Sequence, residues 1–234
     1  MEAYDMKDGT PFVWNNQSNP YDNRDPRMKY TIVCNEMKWP VDPVEIWEGG
    51  TNGLPLQNAT TTGYYLKKYV NNTISFEAGS TVTKKQHNWV LFRYGEILLN
   101  YAEAMINAFH DPNYKDAVYN MSAREAVNQI RGRTNISLPG FPSDITEKDF
   151  VKRLKNERRV ELAFEGHRFW DVRRWKELGQ TANIYGVKIT KNNEVISYEK
   201  FLLETRAVTD NMYFYPIPNT ERFKNPNLGQ NPGW

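Results

Sequence analysis

Apolar residues recur at helical spacing in two neighbouring stretches of the chain, and each stretch predicts a helix. The first helix is predicted from about residue 88 to residue 108. The second is predicted to begin at Ser122, which precedes Glu125 by three positions in a capping-box pattern, and to end near Gly132. Small residues recur on both helices, so we expect a close hairpin like that of a tetratricopeptide unit. No second copy follows at the corresponding period, which predicts one hairpin rather than an array.

A third, longer helix is predicted from its cap at Thr146 to Gly179. Its centre, residues 156–175, carries two apolar stripes, so most of its circumference should contact other protein. We therefore expect Phe164 and Trp170 to be buried. Gly166 lies inside this run, where it predicts a close backbone approach or a kink. The tryptophans assigned to helices and to the core are Trp89, Trp170 and Trp175.

Glu157, Glu161 and Glu165 are spaced four residues apart on this helix. Arg158 and Arg168 lie at helical spacing from two of these glutamates and should offset their repulsion, while other ionic groups should reach neighbouring segments. The same carboxylates raise the alternative of a glycosidase. However, residues four apart face the same way with Cβ atoms only about 5–6 Å apart, which is poor geometry for flanking a glycosidic bond. An ion-pair network is the better interpretation.

Residues 1–87 are rich in turn-forming residues and show little helical periodicity. Short strands are predicted near residues 29–34, 44–48 and 63–70, and residues 22–26 are predicted to form a turn that caps no helix. We expect this irregular segment to pack on the remaining residues, 88–234, rather than fold alone.

After the third helix, alternating residues predict a β-hairpin with strands at residues 185–190 and 194–198. From Tyr213 onward, prolines at positions 216, 218, 226 and 232 predict an extended tail without helix. The predicted fold class is therefore mainly α, with irregular loops and short β-hairpins.

The stretch NERRVELAFEGHRFWDVRRWKELG resembles the C-terminal signature helix of the SusD/RagB family of outer-membrane glycan-binding lipoproteins. Three other stretches resemble the same family in the same order: AYDMKDGTPFVW with NPYDNRDPR, then FRYGEILLNYAEAMINA, and finally FYPIPNTERFKNPNLGQNPGW. Family members are about twice as long, and neither a lipoprotein signal nor the N-terminal helices are recognised here. We therefore expect this chain to be the C-terminal half of a SusD-like protein.

The resemblance implies a non-catalytic function in nutrient uptake and polysaccharide utilization by Bacteroidetes. A SusD-like protein would capture an oligosaccharide or polysaccharide on the extracellular face of the outer membrane and pass it to a SusC-like TonB-dependent transporter. Contact with the membrane would be made only through an N-terminal lipid anchor, which we expect to lie outside this sequence.

Composition and motifs exclude several other classes of function. A formal net charge of +2 is too small to indicate nucleic acid or an anionic membrane as the partner. The single Cys34 excludes an internal disulfide, and no apolar run is long enough to span a bilayer. The three histidines, His87, His110 and His167, show no ligand spacing, and no nucleotide-binding or nucleophile motif is present. We therefore predict no catalytic residue, no metal and no cofactor.

Aromatic residues in the irregular segment are the candidate ligand-binding residues. Trp14, Trp39, Trp47 and Tyr64 lie in turn-rich sequence beside Asn and Asp, and Tyr65 adjoins them. Flat rings with nearby hydrogen-bonding groups suit a neutral glycan. The alternative is that they pack against the helices or against the other half of the family fold. If that half is absent, some of the four should be unusually exposed.

Two other functions are open at this point. A tetratricopeptide-like scaffold that binds a protein segment is the main alternative, because the predicted hairpin has that form. A glycoside hydrolase is a weaker one, because the glutamates are not a separated pair.

Overall fold

The computed structural model describes residues 1–15, 19–74 and 85–234 of the chain. Its helices in chain order are α1 (Met28–Thr31), α2 (Tyr94–Phe109), α3 (Ala123–Arg131), α4 (Glu147–Glu161), α5 (His167–Arg174) and α6 (Asn219–Lys224). Its strands are β1 (Ile32–Val33), β2 (Tyr65–Leu66), β3 (Asn183–Asn192) and β4 (Val195–Thr205), and 3-10 turns span Leu178–Thr181 and Asp210–Tyr213.

Helices α2, α3 and α4 form the main core. The residues buried between them include Leu99, Ala102, Ile106, Ala126, Val127, Ile130, Phe150 and Leu154. The predicted caps are confirmed: Ser122 and Glu125 form a reciprocal capping box, and the Thr146 side chain accepts from the Asp149 N–H. Helix α2 begins later than predicted, at Tyr94, because Arg93 has an extended backbone.

The predicted long helix is interrupted between α4 and α5. Phe164 has φ +62° and Gly166 has φ +83°, and two residues in the left-handed region cannot continue a right-handed helix. The sequence predicted a close backbone approach or a kink at Gly166, and the structure shows a complete break in the helix. The break also turns side chains outward: Phe164 is 57% exposed and Trp170 is 60% exposed, so the predicted burial of both residues is wrong.

The core assignment of two other tryptophans is also corrected. Trp89 lies before α2, outside any helix, and is 84% exposed. Trp175 is only half-buried, and its indole N–H donates to a Glu103 carboxylate oxygen at 2.7 Å. The residues of this region that do enter the core are Val160, Leu162 and Val172.

Within the described residues of the irregular segment, one helical turn, α1, follows the predicted turn at residues 22–26. Its N-cap residue is Arg27, and no side chain caps it. The helical turn occupies the first part of the strand predicted near residues 29–34, so that strand is shorter than predicted. Strands β1 and β2 pair antiparallel within two of the predicted strand regions. Residues 44–48 form no strand. Val44 instead exchanges backbone hydrogen bonds with Glu36 and Met37, and an Asn35 side chain accepts from the Ile46 N–H.

The predicted β-hairpin is confirmed and is longer than predicted, with β3 and β4 joined at Asn193 and Glu194. One face of the hairpin packs on the irregular segment. We call the resulting group of buried residues the hairpin cluster: Val33, Val44, Ile46, Val187, Ile189 and Tyr198. Gly63, at φ +78°, allows the segment to approach, since a Cβ there would lie 2.5 Å from the Val187 carbonyl oxygen.

The C-terminal tail is largely exposed, but it is not helix-free as predicted. Helix α6 fits between Pro218 and Pro226, and Pro218 occupies the N-cap position, where no intrahelical N–H bond is needed. The Trp234 indole N–H donates to the Asn211 carbonyl at 2.9 Å, which holds the end of the chain. Among the helices of the described residues, none has the length and apolar character needed to cross a membrane.

Candidate functional site

The four aromatic residues predicted to bind a ligand lie around one apolar group. Trp14, Trp39, Trp47 and Tyr64 all pack against the hairpin cluster, although fifty positions separate the first from the last. All four are half-buried, so the expectation that some would be unusually exposed is not met. The hairpin β3–β4 supplies half of the cluster and covers the ring surfaces that face it.

A lysine ammonium group lies against the indole ring of two of these tryptophans. The Lys67 ammonium lies 4.6 Å from the Trp39 ring centroid, and the Lys191 ammonium lies 4.8 Å from the Trp47 ring centroid. A cation at this distance is attracted by the negative face of the ring and holds it in place. The lysine and the hairpin cluster therefore both contact each indole. Sequence reasoning missed both lysines, because each comes from a segment distant from its tryptophan.

Trp14 extends the aromatic surface toward the first residues of the chain. The Phe12 ring meets it edge to face, with 6.1 Å between centroids. The Arg24 guanidinium covers Phe12 at 3.6 Å from its centroid. Trp14 thus joins the hairpin cluster to a second region around Phe12.

Tyr64 presents its ring rather than its hydroxyl. The ring packs edge to face on Tyr21 at 6.2 Å between centroids, the hydroxyl oxygen is buried, and burial raises the pKa of that hydroxyl well above its usual value. Its neighbour Tyr65 fixes the adjoining loop, because its hydroxyl donates to the Asn52 carbonyl at 2.6 Å and accepts from the Thr60 N–H at 3.1 Å.

A cavity of about 160 Å³ lies beside these aromatics, between residues 46–63 and the hairpin. Ile46 and Glu48, the two neighbours of Trp47, line it together with Val187 and Phe201. Glu48 and Lys188 stand 3.7 Å apart at this cavity. The lining is mostly apolar with one ion pair, which is the composition typical of a small-molecule subsite.

The three glutamates of the interrupted helix form an ion-pair network, as predicted, and we call them the carboxylate ladder. Glu157 binds Arg27 at 2.5 Å and Arg131 at 2.7 Å. Glu161 binds Arg27 at 3.0 Å and Arg93 at 2.6 Å. The remaining contacts of the ladder are Glu161 with Arg133 at 2.8 Å, and Glu165 with Arg93 at 2.8 Å and Lys68 at 2.6 Å.

The ladder is neutralised from other segments rather than from its own helix. Arg158, predicted to offset Glu161, binds Asp171 at 2.8 Å instead. Arg168, predicted to offset Glu165, donates to the Gln180 side chain at 2.9 Å. Both intrahelical assignments are therefore wrong. The break before α5 brings Asp171 within reach of Arg158 and places Arg168 on a different helix from α4.

The electrostatics of the ladder do not suit acid catalysis. Burial opposes ionisation of Glu161, yet hydrogen bonds from Arg93 and the charges of Arg27 and Arg133 lower its pKa to about 2. Arginine partners likewise lower the pKa of Glu157 against the effect of burial. A glycosidase acid needs a raised pKa so that it holds a proton near neutral pH. These carboxylates are held ionised and serve as structural charges.

Side chains of the types that bind metals occur in all three described ranges, residues 1–15, 19–74 and 85–234. Within those ranges no group of three or more His, Cys, Asp and Glu side chains is arranged to hold a metal ion. Cys34 is buried there as a free thiol, and burial raises its pKa to about 12, which makes it a poor nucleophile.

The chain is similar in sequence to a known protein family and to two known proteins. The model of the SusD family matches residues 1–234. The chain is 29% identical over 163 residues to SusD-like protein P2 of Formosa agariphila, covering 67% of this chain and 28% of the relative. It is 37% identical over 150 residues to SusD-like protein P38 of the same organism, covering 62% of this chain and 24% of the relative.

Solved structures show the same likeness. A SusD-like protein from Bacteroides fragilis superposes with a TM-score of 0.80 at 27% identity, covering 100% of this chain and 46% of that one. A SusD-like carbohydrate binding protein from the same species gives a TM-score of 0.71 at 26% identity, covering 97% and 47%. The chain thus spans about a quarter of the curated relatives and under half of the solved structures. The resemblance and the mainly helical fold class predicted from the sequence are confirmed.

Proposed function

This chain belongs to the SusD family, and on that premise we propose that it binds an oligosaccharide without chemically altering it. The observation that carries the proposal is the convergence of Trp14, Trp39, Trp47 and Tyr64 on the hairpin cluster. Sugar rings present apolar C–H faces that stack on aromatic side chains, while polar groups at the edge fix their orientation.

Two features of the aromatic surface suit this role. We call Trp14, Trp39, Trp47 and Tyr64 the aromatic platform. Lys67 and Lys191 contact the rings of Trp39 and Trp47, and such contacts lower the cost of ordering these rings when a ligand binds. The cavity of about 160 Å³ beside Trp47 adds a subsite for one group of the ligand. The carboxylate ladder, in contrast, is occupied by its own cations, which supports binding without hydrolysis.

The wider role follows from the family. We propose that the protein acts at the extracellular face of the outer membrane, that its membrane contact is an N-terminal lipid anchor, and that it delivers the glycan to a SusC-like TonB-dependent transporter. The relatives are longer, so the two regions 1–87 and 88–234 are proposed as the irregular and helical parts of the C-terminal portion of that fold.

The rival function is a tetratricopeptide-like scaffold for a protein segment. Helices α2 and α3 pack closely through Ala102, Ala123 and Ala126, as such a hairpin does. That packing buries these alanines in the main core, whereas the four candidate aromatic residues stay half-buried.

Calorimetric titration of the chain with an oligosaccharide panel, beside a peptide array, separates the two functions. We expect the chain to bind a saccharide. Trp47→Ala and Trp39→Ala should each weaken that binding about tenfold, because each removes one stacking contact, and both variants should keep the fold. Trp170→Ala is the matched control, because Trp170 is exposed and lies outside the hairpin cluster. Saccharide affinity unchanged in both platform variants would refute the assigned site. Absence of saccharide binding with tight peptide binding would favour the scaffold.

A further inference from the structure

A larger cavity of about 450 Å³ lies on the other side of Phe12, between the first residues of the chain and α4. Four basic residues on one face of α4 line it at spacings of four, three and four: Lys148, Lys152, Lys155 and Arg159. Arg153 and Arg168 also reach it. We call it the basic cavity.

The acidic groups of the basic cavity are already paired. Glu2 binds Lys200 at 2.6 Å, outside the cavity. Glu177 binds Lys155 at 2.5 Å. Asp5 lies 3.3 Å from Arg131, which is buried below the cavity. Asp5 also lies 3.9 Å from Arg153 of the lining, so each of these carboxylates already has a cationic partner.

A surplus of positive charge remains. Within residues 1–15, 19–74 and 85–234, no carboxylate forms an ion pair with Lys148, Lys152, Arg159 or Arg168. Arg168 has only a neutral partner, the Gln180 side chain. An isolated surface cation is ordinary, but four cations without a carboxylate partner in one concavity give it a positive potential.

Arg159 and Arg168 both have a pKa below the usual value of arginine. Desolvation by the cavity walls lowers the pKa of Arg159, and desolvation together with the charge of Arg159 lowers the pKa of Arg168. Both groups stay protonated near neutral pH because the ordinary pKa of arginine is far above neutral pH. An anion between them would relieve their repulsion and receive charge-assisted hydrogen bonds.

Phe12 links the basic cavity to Trp14. It lines the cavity, and its ring centroid is 6.1 Å from that of Trp14. A saccharide resting on Trp14 would therefore extend toward Arg159. We infer that the basic cavity is a subsite for the anionic group of an acidic saccharide, a uronate carboxylate or a sulfate ester. This inference rests on the proposed function, since it names the class of glycan.

Two matched ligand pairs test the inference by calorimetry on the 234-residue chain. Sulfated and unsulfated dextran oligosaccharides differ only in sulfate esters, and oligogalacturonides with and without methyl esters differ only in free carboxylates. We expect the charged member of at least one pair to bind at least tenfold more tightly at low salt. The advantage should shrink as added salt screens the charges over about 10 Å at 0.1 M. The pair that shows it identifies the anion.

Variants assign the effect to the cavity. Arg159→Gln and Arg168→Gln should each remove about tenfold of the affinity for the charged ligand and leave that for its neutral partner unchanged. Arg206→Gln is the matched control, with the same change of charge at an exposed residue outside the cavity, and it should have no effect. Thermal unfolding of each variant checks the fold.

The outcomes are distinct. Equal affinity for charged and neutral ligands, with both arginine variants unchanged, would overturn the subsite while leaving glycan binding intact. A charge preference that Arg206→Gln reduces as much as Arg159→Gln would also overturn it, since the effect would then be one of net charge. No binding of any saccharide would overturn the proposed function together with the subsite.

Discussion

Arg131 donates a hydrogen bond of 2.7 Å to Glu157 in the interior of the protein, and the two side chains are 1% and 3% exposed. The arginine ends α3 and the glutamate lies on α4, so their contact joins two helices of the main core. Charges this deeply buried are tolerated only while each has its partner.

Replacing Glu157 with Gln should destabilise the protein by about 3–5 kcal/mol, because Arg27 and Arg131 would keep their charges in the interior with one counter-ion fewer. Midpoints of urea unfolding, followed by circular dichroism, measure the change. Glu221→Gln is the control, since its pair with Lys224 is exposed and should contribute at most about 1 kcal/mol. A midpoint for Glu157→Gln equal to that of the control would contradict the structural role of the ladder.

Stability should fall on acidification partly through Glu161. Its pKa is about 2 in the folded protein against an ordinary value of 4.5. Because the folded pKa is the lower one, the ionised group stabilises the fold above the ordinary value, and that stabilisation is lost as pH falls from 4.5 toward 2.

Unfolding midpoints between pH 2 and 6 test this for the parent chain and for Glu161→Gln. The variant should be less stable at pH 6, with a shallower fall in stability toward low pH. Glu194→Gln, at a side chain that is 95% exposed, should keep the parental slope. Equal slopes for Glu161→Gln and the parent chain would show that Glu161 does not contribute.

Aromatic residues of the helical region should differ sharply in their effect on stability. Phe150 is fully buried, so Phe150→Ala should cost about 3–5 kcal/mol. Trp170 is larger but 60% exposed, so Trp170→Ala should cost less than about 1 kcal/mol. Chemical denaturation of the two variants under one set of conditions measures the difference. Comparable losses would mean that Trp170 has a partner surface that this chain buries.

Gly63 should resist replacement for two reasons that can be separated. At φ +78° an alanine is strained by about 1–2 kcal/mol, and its Cβ would also meet the Val187 backbone. Gly49 has φ +85° but open space around it, so Gly49→Ala measures the strain alone. We expect the loss of stability in the order Gly63→Ala, then Gly49→Ala, then Gly179→Ala, whose position has neither problem. Any other order in unfolding midpoints would argue against the close approach of the irregular segment to β3.

Local signals in the sequence predicted local structure well. The caps at Ser122 and Thr146 are short-range hydrogen-bond patterns, and the alternation around residues 185–198 belongs to a single hairpin. The break between α4 and α5 was not predictable in the same way. A phenylalanine with positive φ at position 164 is set by surrounding packing rather than by its own preference.

The candidate site was predictable in part. Turn-rich sequence pointed to Trp14, Trp39, Trp47 and Tyr64, but their convergence depends on a hairpin more than a hundred residues away from each of them. The basic stripe on α4 was not predicted, although its Lys and Arg residues lie at helical spacing in the sequence. Its meaning required the structure, because only the fold shows which cations the carboxylates leave unpaired.

The carboxylate ladder also has a consequence for the evolution of such a sequence. Each glutamate shares its arginines with a neighbour, as Arg27 does between Glu157 and Glu161. Loss of Glu157 or Glu161 would leave Arg27 with one counter-ion fewer in the interior. We therefore expect substitutions at these two glutamates to be tolerated less well than substitutions at an exposed position such as Trp89. The cost of leaving a buried charge unpaired thus gives a physical reason why a run of arginines and glutamates can identify members of a family.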